Sequence, residues 1–164
     1  MRGDKEAARV RRAHEFEAFA GGAAGRLLHV ATLLTCDDAK AADRLLCHAL
    51  ARTYLRWDRL RGEDPYAYAR QELVTSYARR AGVGWLHPRR REETGRLAGL
   101  TPQERVIVVL RLFEGVEDEQ VAALLGIAPD RVTALCTRAC VLLRGGAQAP
   151  AASFAGRAAP ASGR

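Results

Sequence analysis

Residues 100–144 read LTPQERVIVVLRLFEGVEDEQVAALLGIAPDRVTALCTRACVLLR, three helical patterns divided by two glycine-containing breaks. Thr101-Pro102-Gln103-Glu104 has the form of a helix start. The threonine is placed to cap, the proline suits the first helical position, and Glu104 is placed to reach back and close a capping box. Val106, Val109, Leu110 and Phe113 come next on one helical face, and Glu114-Gly115 breaks the helix. Glu117, Asp118 and Glu119 crowd the next first turn, where acids complement the helix dipole. Val121, Ala122, Leu124 and Leu125 give that short helix its apolar side. Gly126 ends it and Pro129 opens a third helix, whose stripe is Val132, Leu135, Cys136, Ala139, Leu142 and Leu143.

Two helices joined by a tight glycine turn form a helix-turn-helix. Ala122 is small enough for close approach, Gly126 supplies the left-handed turn residue, and Val132 fills the angle between the helices. Such a unit places its last helix in the DNA major groove. A plain three-helix bundle has the same apolar pattern, but the spacing of Ala122, Gly126 and Val132 favours the DNA-reading form.

The other segments are helical in period as well. Residues 1–12 form a charged N-terminal extension, expected either to fray or to extend the first helix. A short helix is expected over 13–24, weakened near its end by Gly21-Gly22, and another over 26–35. A turn and cap at Cys36-Asp37-Asp38 precede a long helix over 39–60. After the break Gly62-Glu63-Asp64-Pro65, a further helix runs to about residue 80. No strand-like alternation occurs. The expected fold is all-α: a helical domain over 13–80, a basic linker over 81–99 with the run Arg89-Arg90-Arg91, and a helix-turn-helix domain over 100–144. The Gly/Ala/Pro/Ser-rich tail, 145–164, is expected to be disordered.

The formal net charge of +7 over 164 residues points to an acidic partner such as nucleic acid. The charge is uneven: residues 1–80 carry +4, whereas residues 100–144 carry five basic against six acidic residues. The expected DNA reader thus lacks the positive charge that phosphate binding normally uses. No run of about eighteen apolar residues and no apolar signal core are present, so neither a membrane span nor a membrane partner is expected and the cytoplasm is the expected compartment. Four cysteines (Cys36, Cys47, Cys136, Cys140) read as reduced, mostly buried residues. Cys136 and Cys140 stand one turn apart but lack further ligands nearby in sequence, so no metal or other cofactor is expected. Scattered His14, His29, His48 and His87 form no constellation with a nucleophile and an orienting group. The chain is not expected to be an enzyme.

Two helical units in this order resemble the extracytoplasmic-function sigma factors of bacterial RNA polymerase, in particular the small actinobacterial type. The resemblance rests on ALARTYLRWDRL (49–60), DPYAY (64–68), LTPQER (100–105) and VAALLGI (121–127), and spans residues 16–144. It implies that the first domain grips the polymerase clamp and helps open the promoter, while the second reads a promoter element further upstream. The clamp-binding stretch of that family, Ala-Glu-Asp-Leu-Val-Gln-Glu, aligns with Ala42-Asp43-Arg44-Leu45-Leu46-Cys47-His48. Asp43, Arg44, Leu46, Cys47 and His48 are therefore the candidate polymerase contacts, with Arg44, Cys47 and His48 departing from the pattern. The recognition-helix pattern Val-Lys-Ser-Arg-Leu-x-Arg-Ala aligns with Val132-Thr133-Ala134-Leu135-Cys136-Thr137-Arg138-Ala139. Arg131, Thr133, Thr137 and Arg138 are its candidate DNA contacts; Arg70, Arg79 and Arg80 are those of the first domain.

Two readings are open. The resemblance implies a sigma factor whose partners are core RNA polymerase, promoter DNA and an anti-sigma factor. The substitutions at Arg44, Cys47, His48, Thr133, Ala134 and Leu135 suggest instead a sigma-like regulator that binds an anti-sigma factor or another protein without initiating transcription. The slight acidity of residues 100–144 argues against a third possibility, a regulator that uses the helix-turn-helix alone.

Overall fold

The computed structural model describes residues 2–86 and 95–147. Six α-helices and no strand occur among them: α1 (Arg2–Leu34), α2 (Ala39–Arg56), α3 (Pro65–Ala81), α4 (Pro102–Val108), α5 (Asp118–Leu125) and α6 (Pro129–Ala147). The all-α expectation holds. The basic run Arg89-Arg90-Arg91 and most of the tail (148–164) lie outside the described residues.

The N-terminal third departs from expectation. One 33-residue helix replaces two, passing through Gly21, Gly22 and Gly25 and taking in the N-terminal extension. Each glycine costs a helix about 1 kcal/mol relative to alanine. Packing overrides that cost, because the inward positions stay in phase on both sides of the glycine pair. Phe16 and Phe19 precede it; Ala23, Leu27, Val30, Ala31 and Leu34 lie beyond it and are buried. Phe16 lies 5.0 Å from Tyr54 and 5.2 Å from Trp57 between ring centroids, which fastens α1 to the end of α2. Cys36 and Asp37 take left-handed conformations (φ 52° and 63°) in the turn into α2. There Asp38 caps the helix, its Oδ1 accepting from Ala41 N at 3.0 Å. Helix α2 ends at Arg56 in a 3-10 turn (Trp57–Arg59), earlier than its period suggests. Asp64 caps α3 as expected, accepting from Tyr66 N at 2.9 Å, with Pro65 at the first position.

In α4 the capping box is complete. Thr101 Oγ1 accepts from Glu104 N at 3.2 Å, and Glu104 Oε2 accepts from Thr101 N at 2.9 Å. The helix is buried on all sides rather than on one face. Arg105, 2% exposed, donates from Nε to Leu97 O (3.1 Å) and from Nη1 to the Tyr77 hydroxyl (3.4 Å), so its charge is buried among partners. Past Val108 the helix widens into a π turn, Val109–Phe113, in which Glu114 N donates to Val109 O at 3.0 Å. The wider turn rotates the residues at its end out of the α-helical phase. Phe113, expected on the core face, is instead 40% exposed and stacks on His29 of α1, with centroids 4.7 Å apart.

A single buried cluster runs through both halves. Leu73, Val74 and Tyr77 of α3 belong to it together with Leu97, Leu100, Val106 and Ile107. Both described ends of the stretch read as linker dock onto this body. Trp85 lies against Tyr77 and its carbonyl accepts from Gln103 N at 3.1 Å. Gly95 (φ +110°) crosses the α1–α2 turn so closely that a Cβ there would sit 2.5 Å from Asp37 Oδ2. Gly145 and Gly146, read as tail, continue α6.

Candidate nucleic-acid interface

Helices α5 and α6 form the helix-turn-helix. Gly126 takes the left-handed conformation (φ 66°, ψ 35°), and Ile127 N donates back to Ala122 O at 3.1 Å. Val121, Ala122, Val132 and Ala139 are buried at the crossing. Ala122 and Val132 therefore sit where their sizes require them. Leu142, assigned to the apolar stripe of α6, is 47% exposed at the far end of the helix.

The candidate contacts on α6 are unequal. Arg131, Thr133, Thr137 and Arg138 are all exposed. Thr133 donates to Asp118 Oδ2 at 2.7 Å, a bond that spans α5 and α6. Asp118 also pairs with Arg111 Nε. Thr137 donates to Thr133 O at 2.9 Å, so its hydroxyl proton is engaged with its own helix. Arg138 Nε lies 3.4 Å from Glu104 Oε1, near enough for charge attraction but without hydrogen-bond geometry. Its guanidinium is otherwise open to solvent. Of the four candidates, Arg131 and Arg138 therefore carry the accessible donors.

On α3, Arg79 and Arg80 are exposed at the C-terminal end, whereas Arg70 is turned inward. Nine residues separate Arg70 from Arg79, about half a turn out of phase at 3.6 residues per turn. Arg70 Nη1 donates to Glu114 Oε2 at 3.0 Å, and its side chain is only 20% exposed. Glu114 is the centre of a cluster that sequence reasoning missed. Its side chain is fully buried and also accepts from Arg26 Nε (2.9 Å) and from the Tyr66 hydroxyl (3.1 Å to each oxygen). Burial first, and the Glu114 carboxylate second, push the Tyr66 hydroxyl up to about 12. The Arg26 guanidinium is likewise raised, chiefly by its hydrogen bond to Glu114. This cluster joins α1 and α3 to the segment that leads into the helix-turn-helix. The local sequence gives Glu114 only as a helix end, since its partners lie 44 to 88 residues away.

The candidate polymerase contacts sit on α2. Ala42, Leu45 and Ala49 are its buried side, and Asp43, Arg44 and Cys47 cluster on the exposed side. Leu46 and His48 flank that face, both half-buried; Leu46 packs against the core, and His48 Nε2 is buried without a hydrogen-bond partner. Cys136 and Cys140 stay free and half-buried; burial first and Cys140 second push the Cys136 thiol up. Among the described residues no three His, Cys, Asp or Glu side chains gather to hold a metal, and no helix is long and apolar enough to cross a membrane.

No family model matches the chain. Individual relatives do match it. The chain is 31% identical to an RNA polymerase sigma-E factor of Streptomyces coelicolor over 158 aligned positions, covering 79% of this chain and 84% of that one. It is 30% identical to the RNA polymerase sigma-E factor of Streptomyces avermitilis, covering 79% and 83%. The chain belongs to the extracytoplasmic-function sigma factor family. Within this sigma factor, α5 and α6 form the helix-turn-helix.

Proposed function

We propose that this sigma factor binds core RNA polymerase in the cytoplasm through the Asp43–Arg44–Cys47 face of α2, with Leu46 and His48 at its margins. It directs the enzyme to promoter DNA through Arg131, Thr133, Thr137 and Arg138 of α6 and through Arg79 and Arg80 of α3. The observation that supports this most is the likeness to sigma-E factors along most of both chains, combined with a complete helix-turn-helix. Nothing in these surfaces calls for catalysis by this chain itself. Arg70 contributes to DNA only if its guanidinium leaves Glu114.

Replacing Arg131 or Arg138 by alanine should weaken promoter binding by about 1–3 kcal/mol for a base contact, and less for a phosphate contact. Unchanged promoter affinity in both variants would count against α6 as the reading helix. Restoring acids, Arg44→Asp with His48→Glu, should tighten binding to core polymerase if α2 faces a basic clamp surface. No change would move the contact elsewhere.

One observation favours a second reading, a sigma-fold regulator held by an anti-sigma factor or another protein without initiating transcription. Three candidate DNA contacts, Arg70, Thr133 and Thr137, already engage their donors inside the molecule. A transcript that depends on this chain and core polymerase would rule that reading out.

A further inference from the structure

The N-terminal end of α1 and the C-terminal end of α2 enclose a cleft of about 1000 Å³, at the opposite end of α2 from Asp43 and Arg44. Its walls carry Lys5, Arg9, Arg11, Arg12 and Arg61, with Tyr54 at the base and the acids Glu15 and Asp58. Arg12 is held within the molecule: Nη1 lies 3.0 Å from Asp58 Oδ2, Nη2 donates to Tyr54 O at 2.6 Å, and its guanidinium covers the Tyr54 ring at 4.6 Å. That neutralises Asp58. Lys5, Arg9, Arg11 and Arg61 form no ion pair among the described residues. Four cations therefore face one open cleft, with Glu15 as the remaining acid lining it.

We infer that this cleft is a second, sequence-independent DNA contact that takes the phosphate backbone of a duplex. Lys5 and Arg9 stand one turn apart along α1, about 6 Å by helical rise, so these open cations follow a line as a phosphate backbone does. Arginine predominates, and its planar fork suits phosphate oxygens. The cleft does not suit unpaired bases. A single-strand site needs open aromatic faces for stacking, and the Tyr54 ring is already covered by Arg12. The site is also distinct in position. Arg79 and Arg80 close the other end of α3, a 17-residue helix, about 25 Å long. Together the two ends give the first half a long footprint on DNA, consistent with its +4 charge beside a slightly acidic helix-turn-helix.

The inference builds on the promoter-binding reading, and its test keeps the two apart. Full-chain protein and the triple variant Lys5→Ala, Arg9→Ala, Arg61→Ala are titrated with a labelled promoter duplex and with a scrambled duplex across a range of salt. All three side chains are exposed, and matching thermal unfolding curves confirm that the variant is folded. The slope of log affinity against log salt should fall by about 2 to 3, at about 0.9 for each phosphate no longer neutralised, and equally for both duplexes. The promoter-to-scrambled ratio should stay the same. An unchanged slope overturns the inference, as does a full chain that binds no duplex at low salt. A variant with weaker affinity for core polymerase but the same DNA slope would make the cleft a docking face for an acidic protein surface, and overturns it too. Failure of the promoter reading looks different: both duplexes bind alike before any substitution is made.

Discussion

Helices α1, α2 and α3 are 33, 18 and 17 residues long, whereas α4 and α5 have 7 and 8. Long helices bury enough apolar stripe to carry poor residues, which is why α1 runs through Gly21, Gly22 and Gly25. Helices as short as α4 and α5 are marginal by themselves. They persist here through end signals and burial: the Thr101–Glu104 capping box, the left-handed Gly126, and Arg105 locked to Leu97 O and Tyr77. The first half thus draws its stability from length, as the 19-residue α6 does in the second, whereas α4 and α5 rest on caps and specific buried polar bonds. Glu114 is where the two meet.

That contrast can be broken at its joint. Glu114→Ala leaves Arg26 and Arg70 without their shared carboxylate and Tyr66 without its acceptor. It should cost about 3 kcal/mol, the low end for a broken buried pair, because Arg26 still reaches water. A denaturant titration followed by circular dichroism checks this, and a change below about 1 kcal/mol would mean the halves are held by apolar packing alone. The same joint sets an alkaline limit. A hydroxyl whose folded value is raised contributes stability that is complete below the ordinary tyrosine value and disappears as pH rises through the folded one. For Tyr66 that window runs from 10.0 to about 12. Ultraviolet titration of the four tyrosines should show late ionisation, since Tyr66 and Tyr68 are both raised, and Glu114→Ala should bring the Tyr66 step forward.

Smaller changes sharpen the difference between the halves. Thr101→Ala removes the cap of α4 and should destabilise by about 1 kcal/mol, falling on the second half as faster amide exchange in α4. Gly21→Ala and Gly22→Ala act in the opposite direction. A Cβ at either position meets nothing within 4 Å, so each should stabilise by about 0.5–1 kcal/mol, seen as a higher Tm. Destabilisation by both glycine variants would show that α1 needs flexibility there.

Legibility in the sequence divides along the same line. The caps at Asp38, Asp64 and Thr101 and the turn at Gly126 are local signals, and each is readable from its immediate neighbours. The continuity of α1 is not, because propensity at Gly21-Gly22 argues for a break and only tertiary packing of Phe16 and Leu27 answers it. Nor is the π turn, which moves Phe113 out of the core by widening one backbone turn. Of the candidate site, Arg131, Asp43 and Arg44 are exposed as their helical phase implies. Arg70 is not, since its partner Glu114 is 44 residues away and no period connects them.

The most direct test of promoter direction by this chain is run-off transcription with actinobacterial core RNA polymerase on a library of upstream sequences, with and without the protein. The predicted result is a set of defined start sites downstream of a shared sequence, present only with the protein and weakened by Arg131→Ala. No protein-dependent transcript, together with no association between the protein and core polymerase, would contradict it and leave a sigma fold put to another use.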